Sequence, residues 1–99
     1  MRLTIVPDDG AVYKDGFSYS GLDLPFIPQN IHALQWYGEF GEIEFKSAFV
    51  DGRIVKPENE VITALPSWAD QAIAKWQEAE DARIAAELAA QQATQQTPE

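Results

Sequence analysis

The chain has 99 residues, about the length of one domain, and an ordinary apolar share of 45%. Sixteen acidic residues and seven basic ones give a net charge of −9, which argues against binding to nucleic-acid phosphates. We interpret the acidity as a solvated surface that keeps the chain soluble. The absence of cysteine excludes disulfides and thiolate metal sites. The apolar stretch near Met1 is too short for a signal peptide or a membrane span, so we expect neither.

The first part of the chain predicts a series of short strands and turns. A strand over residues 2–6 is ended by Pro7 and a turn. Two aromatic segments then flank Asp15-Gly16, a pair typical of a type I′ hairpin, because both central positions of that turn need positive φ. The proline-containing segment 21–30 is predicted to be an ordered loop packed on the core.

A second group of strands follows. Residues 31–37 give the best strand pattern, which places His32 beside Leu34 and Trp36, and we interpret this single histidine as a structural residue on a buried or half-buried face. Residues 42–46 alternate strictly and should pair with that strand in a second hairpin. Two further segments, 48–50 and 53–55, flank Asp51-Gly52 and predict a third hairpin. Residues 60–65 fit either a strand or a helical turn.

The last part of the chain predicts one long helix. Ser67 is a good N-cap, and Asp70 occupies the third helical position, as in a capping box. Large apolar residues recur at helical spacing as far as Trp76, after which alanines dominate and only Ile84 and Leu88 continue the stripe. A helix with so thin a stripe gains little by folding back on a small domain. Its second half should therefore either project into solvent or pack on another helix, including that of a second copy.

These elements predict an α+β fold, in which a small antiparallel β-sheet of hairpins is followed by one long C-terminal α-helix. The predicted division is a β-rich module over 1–66, a C-terminal helix over 67–90 that belongs to the same domain, and a disordered tail over 91–99.

The residue inventory predicts a binding protein rather than an enzyme. The chain has one histidine, no cysteine and no glycine-rich phosphate loop, so we expect no catalytic residues, no cofactor and no metal site. Trp68 and Trp76 share one helix face, and either pack in the core or anchor a partner, since Trp and Tyr often dominate interfaces. The candidate partner-binding residues are Trp76, Ile84, Leu88 and Tyr37.

Two neighbouring stretches carry a resemblance to a known family. Residues 31–38 read IHALQWYG and residues 41–45 read GEIEF, and the opening MRLTI and the segment NEVITAL at 59–65 add to the pattern. This pattern resembles short phage-encoded tail fibre assembly proteins, also called fibre chaperones. The resemblance covers about residues 1–76 and leaves the Ala/Gln-rich end outside it.

The resemblance implies a helper that binds a phage tail fibre or tail spike protein and assists its folding or trimerisation. Such fibres expose strand edges and apolar surface while they assemble, and covering this surface needs no active site. The expected location is the host cytoplasm during assembly, or the virion if the helper remains bound. Two alternatives stay open: an acidic DNA mimic that inhibits a host nucleic-acid enzyme, and a minor structural virion component bound to the fibre.

Overall fold

The computed structural model describes residues 1–95, and it shows the predicted α+β fold of antiparallel strands followed by one long helix. The helix, α1, covers Ser67–Gln95. A single turn of 3-10 helix covers Pro7–Asp9. The strands are β1 (Leu3–Val6), β2 (Ala11–Lys14), β3 (Phe17–Tyr19), β4 (Ile31–Trp36), β5 (Gly41–Phe45), β6 (Ala48–Val50), β7 (Arg53–Val55) and β8 (Glu60–Ile62).

Six of these strands form one sheet in the order β3-β2-β1-β4-β5-β8, in which every neighbouring pair is antiparallel. The first strand of the chain therefore lies inside the sheet, between β2 and β4. The edges of the sheet are β3 on one side and β8 on the other. Strands β6 and β7 pair only with each other and form a separate hairpin in the connection from β5 to β8.

The two Asp-Gly hairpins have the predicted turn conformation. The φ angles are +49° at Asp15 and +92° at Gly16, and they are +49° at Asp51 and +78° at Gly52. Positive φ at both central residues is the signature of a type I′ turn, whose twist matches that of the flanking strands. These short-range signals therefore placed two hairpins correctly along the chain.

Strand β4 departs from the predicted alternation because it contains a β-bulge. The pairing with β5 shifts register between Ile31 and Ala33, so His32 is the extra residue. The shift brings Ile31 into the same buried cluster as Leu34 and Trp36, whereas the side chain of His32 is exposed. The interpretation of His32 as a structural histidine on a buried or half-buried face is therefore wrong.

The core lies on one face of the six-stranded sheet, beneath the first half of α1 and the segment 21–30. Ala69 and Ala72 are fully buried, because small side chains let the helix approach the strands closely. Ile27 is also buried, so the predicted ordered loop does pack on the core. The buried cluster consists of Leu3, Ile5, Val12, Ile27, Ile31, Leu34, Trp36, Ile43, Ala69, Ala72 and Trp76.

The helix is longer than predicted. It begins at Ser67, as expected, but continues to Gln95 rather than ending at residue 90. At a rise of about 1.5 Å per residue its 29 residues extend for roughly 43 Å, and the longest dimension of the molecule is 73 Å. The rest of the predicted tail, residues 96–99, lies outside the described residues.

Two glycines of similar conformation provide a test of how the segment 21–30 is held. Gly10 has φ +58°, and a Cβ there would lie 2.4 Å from the carbonyl oxygen of Leu22, whereas Gly21 has φ +69° and nothing within 4 Å. We expect Gly21→Ala to cost about 1–2 kcal/mol through backbone strain alone. Gly10→Ala should cost about 1–3 kcal/mol more, because backbone must move. Urea unfolding measures the free energy of unfolding of each variant. Equal losses of stability in the two variants would show that Leu22 does not approach Gly10 in solution.

Candidate protein-interaction site

Trp76 fixes the helix to the β2–β3 hairpin. Its side chain is 7% exposed, and its indole Nε1 donates a hydrogen bond of 3.0 Å to the carbonyl oxygen of Phe17. The ring of Tyr19 meets the indole edge-on, with ring centroids 5.8 Å apart. The Lys14 ammonium lies 4.7 Å from the indole centroid. Trp76 therefore belongs to the core, and it is not part of an exposed surface.

A polar cluster one to two turns further along α1 continues this attachment. The Tyr19 hydroxyl donates a hydrogen bond of 2.6 Å to Glu80 Oε2, and Arg83 Nε donates one of 3.0 Å to the Tyr19 oxygen. Arg83 also forms ion pairs with Glu80 and, at 2.8 Å, with Glu87. Its guanidinium lies 4.9 Å from the centre of the Phe17 ring. Helix and hairpin are thus joined through residue 83.

The electrostatics of this cluster suit an anchor rather than a proton-transfer site. Hydrogen bonds from Arg83 and from Tyr19 hold the pKa of Glu80 below its ordinary value. Burial, followed by the hydrogen bond to Glu80, raises the pKa of Tyr19. The hydrogen bonds to Glu80 and Tyr19 also raise the pKa of Arg83. Each pKa moves away from neutrality, so these groups keep one protonation state near pH 7, whereas a general acid or base needs a pKa near the working pH.

Beyond Arg83 the helix leaves the sheet. Every residue from 84 to 93 is exposed, so no other element within residues 1–95 covers this part of α1. Ile84 is 42% exposed and Leu88 is 53% exposed, and their spacing of four places them on one face. We call the part of α1 that follows Trp76, residues 77–95, the outer helix; Glu80 and Arg83 attach its first two turns to β3. Its exposed apolar face contains two of the four predicted binding residues.

The hairpin of β6 and β7 forms a second exposed apolar element, which we call the hairpin arm (residues 48–55). Phe49 and Ile54 lie opposite each other across the two strands and are 74% and 75% exposed. Val50 and Val55, on the opposite side of the hairpin, are 49% and 45% exposed. A two-stranded hairpin is marginally stable by itself. Its apolar exposure on both sides makes it a candidate surface for protein interaction.

The hairpin arm was predicted as a hairpin, but its role as a surface was missed. The signal is present in the sequence, since a strand on a half-buried sheet should alternate apolar and polar residues. The arm has apolar neighbours at Phe49-Val50 and at Ile54-Val55 instead, so both of its sides contain apolar side chains. Such a pattern is explained by enclosure on both sides or by a partner.

Tyr37 lies apart from the helix. Strand β4 ends at Trp36, so Tyr37 belongs to the β4–β5 connection and is 44% exposed. Its ring centroid is 5.1 Å from that of Phe40, and the Arg2 guanidinium lies 4.4 Å from the ring centre. The structure thus separates the predicted residues: Trp76 is in the core, Tyr37 is at this turn, and Ile84 and Leu88 are on the outer helix.

The opposite face of the sheet offers a shallow depression of about 470 Å³. The polar side chains that line it include the Arg2 guanidinium and the Tyr13 hydroxyl, but no carboxylate or imidazole. Within residues 1–95, no group of three or more His, Cys, Asp or Glu side chains is placed to hold a metal ion. The depression is lined by Arg2, Thr4, Val6, Ala11, Tyr13 and Ser18.

Comparisons of the chain with models of protein families, with curated proteins and with solved structures found no match. Within the described part of the chain, no helix combines the length and apolarity that crossing a bilayer requires. The function proposed below therefore depends on the exposed surfaces of the molecule and on the resemblance noted in the sequence.

The depressed pKa of Glu80 predicts how stability depends on pH. The ionised carboxylate stabilises the folded state fully above its unfolded pKa, about 4.3, and this contribution is lost as the pH falls through the lower folded pKa. Glu80→Gln should therefore be less stable than the parent at pH 7. The difference should shrink when both proteins are acidified below the unfolded pKa. Urea unfolding across this range measures it; a difference independent of pH would contradict an ionic role for Glu80.

A second pair of variants tests the division of the helix. Trp76→Ala should lower the free energy of unfolding by about 3–5 kcal/mol, because it empties a buried site and removes the hydrogen bond to Phe17. The double variant Ile84→Asp with Leu88→Asp should cost well under half as much, since both side chains are already exposed. Chemical unfolding at low protein concentration compares them. Equal losses would mean that the whole helix packs on the sheet.

Proposed function

We propose that this chain is a non-enzymatic helper that binds a phage tail fibre or tail spike protein and assists its folding or trimerisation. The observation that supports the proposal is the exposed apolar surface of two projecting elements, the hairpin arm and the outer helix. Phe49 and Ile54 supply the largest exposed apolar side chains of the arm, and Ile84 and Leu88 supply those of the outer helix. Extended apolar surface on a small soluble protein commonly marks a site of protein interaction.

The two elements suit an assembling fibre in different ways. The hairpin arm has unpaired edges on both strands, so it can extend a sheet of the partner through backbone hydrogen bonds. The outer helix presents Ile84 and Leu88 at a spacing that fits an apolar groove. Fibre chains that have not yet trimerised expose strand edges and apolar surface of both kinds. The proposal therefore assigns the two elements to two parts of one partner.

The net charge of −9 has a supporting role in this account. A chain with exposed apolar side chains is prone to associate nonspecifically, and like-charge repulsion between copies opposes this. The largest exposed side chains of the two elements are apolar, whereas a DNA mimic would present mainly carboxylates, and this favours the fibre over the alternative of a DNA mimic. A protein acting in this way works in the host cytoplasm during assembly, and one that stays bound would also be found in virions.

Co-expression with the fibre gene that neighbours the gene for this chain tests the proposal. We expect the fibre to be insoluble alone, and to be soluble, trimeric and co-purified with the chain when both are made. Two double variants, Phe49→Ser with Ile54→Ser and Ile84→Asp with Leu88→Asp, should each reduce the yield of soluble trimer by about tenfold or more.

The matched control is Phe40→Ser, which replaces an exposed aromatic residue outside both elements and should leave the yield unchanged. A fibre that folds equally well without the chain would contradict the proposed function. Rescue of the fibre by both double variants as well as by the parent would contradict the assignment of the surfaces.

A further inference from the structure

The segment 46–56, which consists of the hairpin arm and its flanking residues, and the outer helix have net charges of opposite sign. The segment 46–56 contains three basic residues and one acidic residue, although the chain as a whole has a net charge of −9. Lys46 pairs with Asp8 at 2.7 Å, but Arg53 and Lys56 form no ion pair within the described part of the chain. The outer helix has four acidic residues and one basic residue, Arg83, which pairs with Glu80 and Glu87, so its net charge is negative.

These two elements cannot meet within one molecule. The hairpin arm leaves the sheet between β5 and β8, at the β8 edge. The helix crosses to the other edge, where Trp76 and Arg83 contact β3, and the outer helix continues from there. The sheet of six strands lies between the arm and the outer helix. The two exposed apolar elements are therefore attached at opposite edges of the sheet.

We propose that two copies of this chain form a dimer in which the hairpin arm of each copy packs against the outer helix of the other. A two-fold axis turns the second copy end for end, so both contacts form at once and are identical. Phe49 and Ile54 of one copy then cover Ile84 and Leu88 of the other. The basic side chains that flank the arm approach the acidic rim of the helix.

Two simpler dimers are possible, one with helix against helix and one with arm against arm, and charge argues against both. Pairing the two helices would bring their acidic side chains together, including Asp81 and Glu87, and pairing the two arms would bring Arg53 and Lys56 of both copies together. Like charges facing each other across an interface oppose association, whereas opposite charges favour it and select the partner. The contact between arm and helix is the one of the three in which both the apolar surfaces and the charges match.

This inference does not depend on the proposed function, although the two are compatible. If the fibre binds the same surfaces, the dimer is the form in which those surfaces are covered until the fibre is made. Dimerisation is measured without any fibre, and the fibre experiment is scored by fibre solubility. The dimer can therefore be disproved without disproving the proposed function, and the proposed function can be disproved without disproving the dimer.

Light scattering over a range of protein concentrations, in low salt, tests the proposal. The parent chain should reach twice the 11.0 kDa of one copy. Two charge-reversed proteins, one with Arg53→Glu and Lys56→Glu and the other with Asp81→Lys and Glu87→Lys, should each dimerise at least about tenfold more weakly. The control Lys75→Glu changes a charge on residues 67–76 of α1, before the outer helix begins, and should dimerise like the parent.

An equimolar mixture of the two charge-reversed proteins gives the sharpest result. In the mixed dimer both contacts join unlike charges again, so the mixture should recover the mass of a dimer although neither component does alone. A parent chain that remains monomeric at every concentration would overturn the proposal. A mixture that associates no better than its separate components would also overturn it.

A crosslinking experiment covers the case in which a charge-reversed protein does not fold. Because the chain has no native cysteine, Ile54→Cys mixed with Leu88→Cys can form a mixed disulfide only between two copies when oxidised glutathione is supplied. The yield of this mixed disulfide should exceed by about tenfold the yield of the one formed between Ile54→Cys and Ala74→Cys. Ala74 is exposed and lies on α1 before the outer helix begins. Equal crosslinking in the two mixtures would contradict the proposed contact.

Discussion

The indole of Trp76 is the contact on which the position of the helix depends, because it joins an apolar core contact to a directed hydrogen bond. The ring packs against Tyr19, and its N–H donates a hydrogen bond to the carbonyl oxygen of Phe17. The two contacts together fix the distance of the helix from the hairpin and its position along its own axis. Glu80 and Arg83 extend the attachment by two further turns. All of these contacts are made to one short hairpin, so the helix is supported only as far as Arg83.

Because this support is limited, the end of the helix and the hairpin arm both extend beyond the sheet. A domain of 99 residues has one sheet face to offer a helix of 29 residues, and the remaining part of the helix extends beyond it. The hairpin arm extends from the other edge of the sheet in the same unsupported way. Both elements expose apolar side chains, and this exposure is the observation on which the proposed interactions with other chains depend.

Local signals in the sequence predicted the turns and the start of the helix. The two Asp-Gly pairs favour positive φ, and a serine such as Ser67 favours the first position of a helix, and both preferences are local. The bulge at His32 was missed because it depends on the register of β4 against β5, which is a non-local property. The same reason left the role of Trp76 open, since only its contacts with β3 decide between core and surface. The exposure of the hairpin arm depends on what fails to pack against it, which a strand pattern alone does not show.

Hydrogen exchange of the backbone amides along the helix tests the central claim most directly, that contacts with β3 support α1 only as far as Arg83. Dilute protein should be used, so that association does not add protection. The account predicts strong protection for amides between residues 71 and 83, and exchange rates in the outer part, from residue 88 onwards, that approach those of an isolated helical peptide, because unsupported helical turns open locally. Uniform protection along the whole helix would contradict it.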